Sequence, residues 1–350
     1  MRVFRAPFGT TESGISVDKF TLSNDEDMSV DLITYGGRVT AVRVPDINGE
    51  IGNVVLGFDS IESYERDSAY IGALIGRYAN RIADAQLRVN GEQYWLGANE
   101  GKNQLHGGFH GLHNRVLDAQ VFEMADEVGV ELSTVLEEGL EGYPGDLEVS
   151  IRISLSRENE LKFDYKASCN RPTVVNLTHH GYFNLSGVQG GSCMSHLLSI
   201  NADAYTPVNG QAIPTGEIRA VEGTVYDFRQ AKRLDQDSGA AESEPQGFDH
   251  NFVLNKQAQV LAEAAWLKDP LTGREVRLFT TEPGLQLYTA QYLDSVFEDK
   301  RVRFGPYSGV CLEAQHFANS PNEPAFPSTL LLPQETYRQT TIYRFSREEM

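Results

Sequence analysis

Between Leu147 and Leu155 the chain alternates without a slip: Leu147, Val149, Ile151, Ile153 and Leu155 are apolar, and Glu148, Ser150, Arg152 and Ser154 are polar. A period of two puts all five apolar side chains on one face of a strand, which a helical period of 3.6 does not do. After the polar turn Arg157-Glu158-Asn159-Glu160, Leu161, Phe163 and Tyr165 alternate in the same way with Lys162, Asp164 and Lys166. The two runs predict an antiparallel hairpin with one buried and one wet face. Asn90-Gly91 predicts a second hairpin between Gln86-Leu87-Arg88-Val89 and Gln93-Tyr94-Trp95-Leu96, because Asn-Gly supplies the positive φ angles of a type I′ turn. A third runs from Ala262 to Thr280 and bends at Asp269-Pro270-Leu271-Thr272-Gly273. Helical spacing holds only for a turn or two, from Ile61 to Arg66. Asp235 to Gln246 is acidic and rich in small residues, and reads as an exposed loop. Strands alternating with long helices, the pattern of parallel α/β folds, are absent. No linker-like composition break and no internal repeat interrupts the chain. The expected fold is all-β, a large antiparallel β-sandwich with very little helix, residues 1–350 forming one domain.

Charge narrows the function. The 350 residues carry 30 Lys or Arg against 49 Asp or Glu, a net −19. Phosphate binding needs clustered cations, so nucleic acid is excluded as a partner, and an anionic membrane surface with it. Partners should be neutral, hydroxyl-rich molecules. Cys169, Cys193 and Cys311 lie far apart with no C-x-x-C pair, which fits a reducing compartment and provides no zinc framework. The first thirty residues lack the apolar run of a secretory signal, and no stretch approaches a membrane span. A cytoplasmic protein is expected. Nothing in the sequence specifies an oligomer interface.

Four patches carry more chemistry than a sandwich needs. Gly76-Arg77-Tyr78-Ala79-Asn80-Arg81-Ile82 sets two arginines in an otherwise apolar stretch, where they recognise hydroxyls or carboxylates, or simply form surface ion pairs. Leu105-His106-Gly107-Gly108-Phe109-His110-Gly111-Leu112-His113 holds three histidines within eight residues. That invites a metal reading, but no carboxylate motif completes a ligand set nearby. In the run from Thr173 to Leu185, read as a strand, His179 and His180 point to opposite faces, so only one can serve a given pocket, unless both are simply satisfied by backbone partners. In Gly309-Val310-Cys311-Leu312-Glu313-Ala314-Gln315-His316-Phe317 a carboxylate sits within a run that reads as a buried strand. Such a group must be hydrogen-bonded, functional, or paired inwardly, with Arg77 or Arg81 as candidate partners.

These patches, in this order, resemble the aldose 1-epimerase (galactose mutarotase) family. Further matching pieces are Glu141-Gly142-Tyr143-Pro144-Gly145, Pro207-Val208 with Ile213-Pro214-Thr215-Gly216, Gly247-Phe248-Asp249-His250-Asn251-Phe252, and Pro283-Gly284-Leu285-Gln286-Leu287-Tyr288-Thr289. A closing segment, Pro327 to Pro333, completes a match running from about residue 30 to 346. Any one piece is weak; the ordered set is specific.

The resemblance implies a β-supersandwich that interconverts α and β anomers of free aldohexoses without a cofactor or metal. It implies Glu313 as general base and His180 as general acid. Asn80, Arg81, His106, Asp249 and Gln286 would hold the sugar hydroxyls, with Arg77 a further candidate. His179, where relatives often carry a smaller amide, is expected to face away. Three other readings stand beside this one. A relative acting on hexose 6-phosphates would need an extra basic cluster. A sugar-binding module would lack Glu313 or His180, and a glycosidase would need two opposed carboxylates.

Overall fold

The computed structural model describes residues 1–237, 247–294 and 304–348. Three antiparallel sheets dominate. The first is an N-terminal meander of five strands from Arg2–Thr10 to Ile51–Asn53, taken in chain order. The second has nine strands. Asp118–Glu123, Glu127–Leu136, Leu147–Ser156 and Glu160–Cys169 lie side by side, followed by Tyr337–Arg347, Arg274–Thr280, Ala262–Lys268, Leu197–Ile200 and Lys232–Arg233. The third has six, in the order Tyr182–Phe183, Val310–Gln315, Gly284–Tyr288, Asp249–Leu254, Ala202–Thr206 and Arg219–Ala220.

The alternation does what its period requires. In Leu147–Ser156 the five apolar residues are buried, and of the polar ones only Ser154 is buried with them. The Ser154 hydroxyl is satisfied by the Glu127 carboxylate at 3.0 Å. All three expected hairpins form. Asn90 and Gly91 turn with φ of 50° and 86° between Gln86–Val89 and Glu92–Trp95. The expected helix is one turn, Ile61–Glu65, capped by Ser60 Oγ accepting from the Ser63 amide at 3.3 Å. The expected loop at Asp235–Gln246 lies, beyond residue 237, outside the described residues. One apolar cluster joins the sheets: Phe20 and Leu32 from the meander, Ile151, Phe163 and Tyr343 from the large sheet, Leu285 and Leu312 from the third. Among the described residues no helix is long and apolar enough to cross a membrane.

A charged staple closes one end of the third sheet. His316 follows Val310–Gln315, and its Nδ1 lies 2.5 Å from Oε2 of the buried Glu282, just before Gly284–Tyr288. Burial opposes a charge on His316, but the Glu282 carboxylate, through its charge and the hydrogen bond, outweighs it and raises the imidazole pKa above 6.5. The staple therefore contributes fully below the unfolded-state value, and that contribution is lost as pH rises through the folded-state value. Urea unfolding at about pH 6 and about pH 9 should show stability falling with pH, and His316→Gln should flatten the slope. Equal slopes in the two proteins would remove the staple from the account.

Candidate active site

Strand periodicity aims Glu313 into a cavity. Leu312 and Ala314 point into the main apolar cluster, so Cys311, Glu313 and Gln315 take the other face. In the next strand Gln286 stands opposite Glu313, and in the one after it Asn251 stands opposite Gln286. The cavity above this face measures about 800 Å³, a usual size for a small-molecule site. Asn80, Arg81, His106, His180, Asp249 and Glu313 all line it. Gln286 is buried beneath, and its Nε2 donates to Asp249 Oδ1 at 2.6 Å.

His180 is held at both backbone atoms. Its amide donates to the Ala73 carbonyl at 2.8 Å, and its carbonyl accepts from the Gly72 amide at 3.0 Å. Its Nε2 lies 3.8 Å from Glu313 Oε1, its ring stacks on Tyr182 at 4.9 Å, and its Nδ1 is 3.7 Å from Cys311 Sγ. The preceding His179 faces the other way, as the alternation demands. It stacks on Phe163 at 4.5 Å, and its Nε2 meets the Gly72 carbonyl at 3.1 Å.

His106 and Asn80 fix each other. The Asn80 carbonyl accepts from the His106 amide at 3.0 Å, while the Asn80 amide donates to His106 Nδ1 at 3.1 Å. A neutral imidazole whose Nδ1 accepts carries its proton on Nε2, so His106 is a donor. Gly107 makes this turn feasible. It has φ of 82°, and a Cβ there would sit 2.5 Å from the Gly76 carbonyl oxygen. The three loop histidines do not converge: His106 and His113 are buried, and His110 is exposed. Another grouping has metal-like spacing, with ligand atoms of His106, His180 and Glu313 within 4.8 Å of one another. The Asn80 amide already occupies the one lone pair of His106, so this donor set suits hydroxyls better than a cation.

Electrostatics separate the two reactive groups. Burial, reinforced by Asp249 and opposed by Arg81, pushes the Glu313 carboxyl well above its usual range. Burial holds His180 down to about 3 and His106 well below its ordinary value. Among the described residues no arginine forms an ion pair with Glu313, and its Oε2 has no hydrogen-bond partner. The inward pairing with Arg77 or Arg81 is thus not what the fold builds. Arg81 instead spends its fork on Glu100, at 2.7 Å from both Nε and Nη2, with Nη1 at 3.8 Å from Asp249. Burial chiefly raises the Asp249 pKa.

Arg77 lies outside the cavity lining. It is buried and donates to the carbonyls of Leu136, Pro144 and Gly145 and to Thr173 Oγ1, all within 3.1 Å. Burial lowers its pKa to about 10. It ties the end of the Glu127–Leu136 strand and Thr173 to the Pro144-Gly145 bend, away from the cavity. The sequence did not mark Tyr70, Glu100, Tyr182 or Tyr288 as site residues, although all four line the cavity. Tyr70 and Glu100 owe their positions to turns and pairings that local spacing does not reveal, whereas Tyr288 shares a strand with Gln286 at a spacing of two that marks the same face.

Comparison with known proteins identifies the family. Residues 18–344 match the aldose 1-epimerase family. The chain is 40% identical over 346 residues to the galactose mutarotases of Mus musculus and Homo sapiens, covering 98% of this chain and 98% of each relative. The aldose 1-epimerase of Escherichia coli (strain K12) is 34% identical over 333 residues, 94% of this chain and 95% of that one. The crystal structure of an aldose epimerase homologue from C. elegans matches with a TM-score of 0.86 at 30% identity, covering 93% of this chain and 98% of that one. This chain belongs to the aldose 1-epimerase family.

Proposed function

We propose that this protein interconverts the α and β anomers of free aldoses, with galactose and glucose the leading substrates, by acid–base opening and reclosure of the sugar ring. The observation that carries the reading is the Glu313–His180 pair, 3.8 Å apart and buried in the wall of a cavity that Asn80, Arg81, His106 and Asp249 also line. The pair shares one proton. With it on His180, Glu313 takes the proton of the C1 hydroxyl while His180 protonates the ring oxygen, and the ring opens. The C1–C2 bond rotates. His180 then takes a proton back, Glu313 returns one to the carbonyl oxygen, and the ring closes on the other face. Burial favours the neutral arrangement in the free protein, with His180 bare and Glu313 protonated. Sugar hydroxyls that hydrogen-bond to the carboxylate favour its charged form and shift the proton toward His180.

Asn80, Arg81, His106 and Asp249 hold the hydroxyls in this scheme, and Gln286, expected as a fifth, lies beneath the lining and holds Asp249 instead. A wrong hydroxyl leaves one of these buried groups unpaired, which is the basis of discrimination. Donor and acceptor are both side chains, so the scheme calls for no cofactor. A hexose 6-phosphate fits less well. Glu100, Asp249 and Glu313 line the cavity, Arg81 is engaged with Glu100, and Lys102 Nζ lies 2.5 Å from Asp84. Three buried free cysteines suit a cytoplasmic location.

Polarimetry on freshly dissolved α-D-galactose and α-D-glucose tests the reading. Catalytic amounts of protein should speed the approach to the same final rotation. No acceleration with either sugar would overturn it.

A further inference from the structure

Tyr70 lines the cavity with its backbone at φ of 57°, a conformation that a bulky residue seldom adopts. Several contacts hold it there. Asp67 accepts from the Ala69 amide at 2.9 Å and the Ile71 amide at 2.7 Å, and the Tyr182 hydroxyl donates to the Ala69 carbonyl at 2.8 Å. Gly72, two residues on, is bound to both His179 and His180. This scaffolding presents one aromatic face to the site. The Tyr70 ring stacks on His180 at 6.0 Å with a 25° interplanar angle, and meets the edges of His106 at 4.6 Å and His113 at 4.8 Å. His106 and His180 themselves stand edge to face at 5.1 Å.

We infer that Tyr70 is a positioning residue for His180: its ring fixes that imidazole against the one of His106, so that acid and hydroxyl-holding group are aligned when the sugar arrives. The role belongs to the ring. The hydroxyl's contact, from Asn99 Nδ2, is 3.5 Å long and marginal. Tyr70 also covers His180 from water on its side. The other groups facing His180 are Glu313, Cys311, Tyr182, Tyr288 and His106, with Arg38 further off. Tyr70→Ala removes the ring and leaves each of these groups in the chain, so a change in His180 ionisation reports on the loss of that ring.

The inference rests on His180 being the acid, and the test separates the two claims. NMR titration of the His180 imidazole in sugar-free protein reads its surroundings whatever the substrate. Tyr70→Ala should move the midpoint upward, toward the ordinary value near 6.5, whereas Tyr70→Phe should leave it in place. In steady-state assays Tyr70→Ala and Tyr70→Leu should lose about 10–100-fold in kcat with KM little changed, because small misplacements of a reacting group are costly. Tyr70→Phe should match the wild type. Leu fills the space without a flat ring, so it still tests alignment if the Ala variant folds poorly. An unchanged titration in Tyr70→Ala, full kcat in Tyr70→Leu, or Tyr70→Phe as damaged as Tyr70→Ala would each overturn the inference. A shifted titration in a protein inactive on every aldose would show that Tyr70 holds His180 but overturn the epimerase reading, and the catalytic part of the inference with it.

Discussion

Glu313→Gln should abolish anomer interconversion while leaving the fold as stable as before, or more so. The substitution keeps the shape of a side chain whose neighbours Leu312 and Ala314 are locked into the core. What it removes is the acceptor for the C1 proton, a role typically worth about 10²–10⁴-fold in rate. The loss should appear in kcat, with KM little changed, because binding rests on the surrounding hydroxyl-holding groups. Stability should move the other way. The Glu313 carboxyl is buried, its Oε2 is unpartnered, and its pKa is pushed well up, so the charged form is costly to keep in the folded protein. An amide carries no charge to desolvate. Polarimetric initial rates together with thermal melting check both halves. A variant retaining activity within about tenfold of wild type would remove Glu313 from the role of base.

Arg38→Met should be the most destabilising single change among the residues that support the site. Arg38 and Asp67 form an ion pair at 2.6 Å with no exposed side-chain surface on either partner. The guanidinium also donates to the Ile71 carbonyl at 2.8 Å and lies over the Tyr64 ring at 5.0 Å. Removing it leaves the Asp67 carboxylate buried without a countercharge, a change that costs about 3–5 kcal/mol. It also loosens the turn that carries Tyr70, so activity should fall together with stability. Asp67→Asn in the same chain should restore much of the stability, since two neutral groups replace a broken pair. Chemical denaturation of both single variants and the double variant measures the coupling. A cost below about 1 kcal/mol for Arg38→Met would show that water or a shifted neighbour satisfies Asp67.

The site was legible where function forces an unusual residue into a plain pattern. A carboxylate between Leu312 and Ala314 in a strand stands out in one dimension, and so do adjacent histidines at 179 and 180, because strand geometry allows only one of them to face a given side. Arg77 shows the limit of that kind of reading. Four residues from Arg81 in an apolar stretch, it resembles a second recognition group, yet its Nη1 and Nη2 are spent on oxygens of Leu136, Pro144, Gly145 and Thr173. Whether a guanidinium meets a ligand or a carbonyl depends on chain segments about sixty to a hundred residues away. Tyr70 and Glu100 were invisible for the same reason. One owes its place to a turn clamped by Arg38 and Asp67, the other to a bidentate pairing with Arg81.

By itself the sequence determined the strands of three hairpins, their faces and their turns. Those follow from local rules: alternation of period two, the positive φ that Asn-Gly supplies, and the high cost of burying a polar face. Tertiary structure alone decided the order of the strands. The C-terminal Tyr337–Arg347 lies between Glu160–Cys169 and Arg274–Thr280, and no pattern within any of the three announces it. Tertiary structure also decided the protonation chemistry. Glu313 and His180 are 133 residues apart in the chain, 3.8 Å apart in the fold, and buried together. The shift in each pKa comes from water that the surrounding sheets exclude, and exclusion of water is a property of packing in three dimensions.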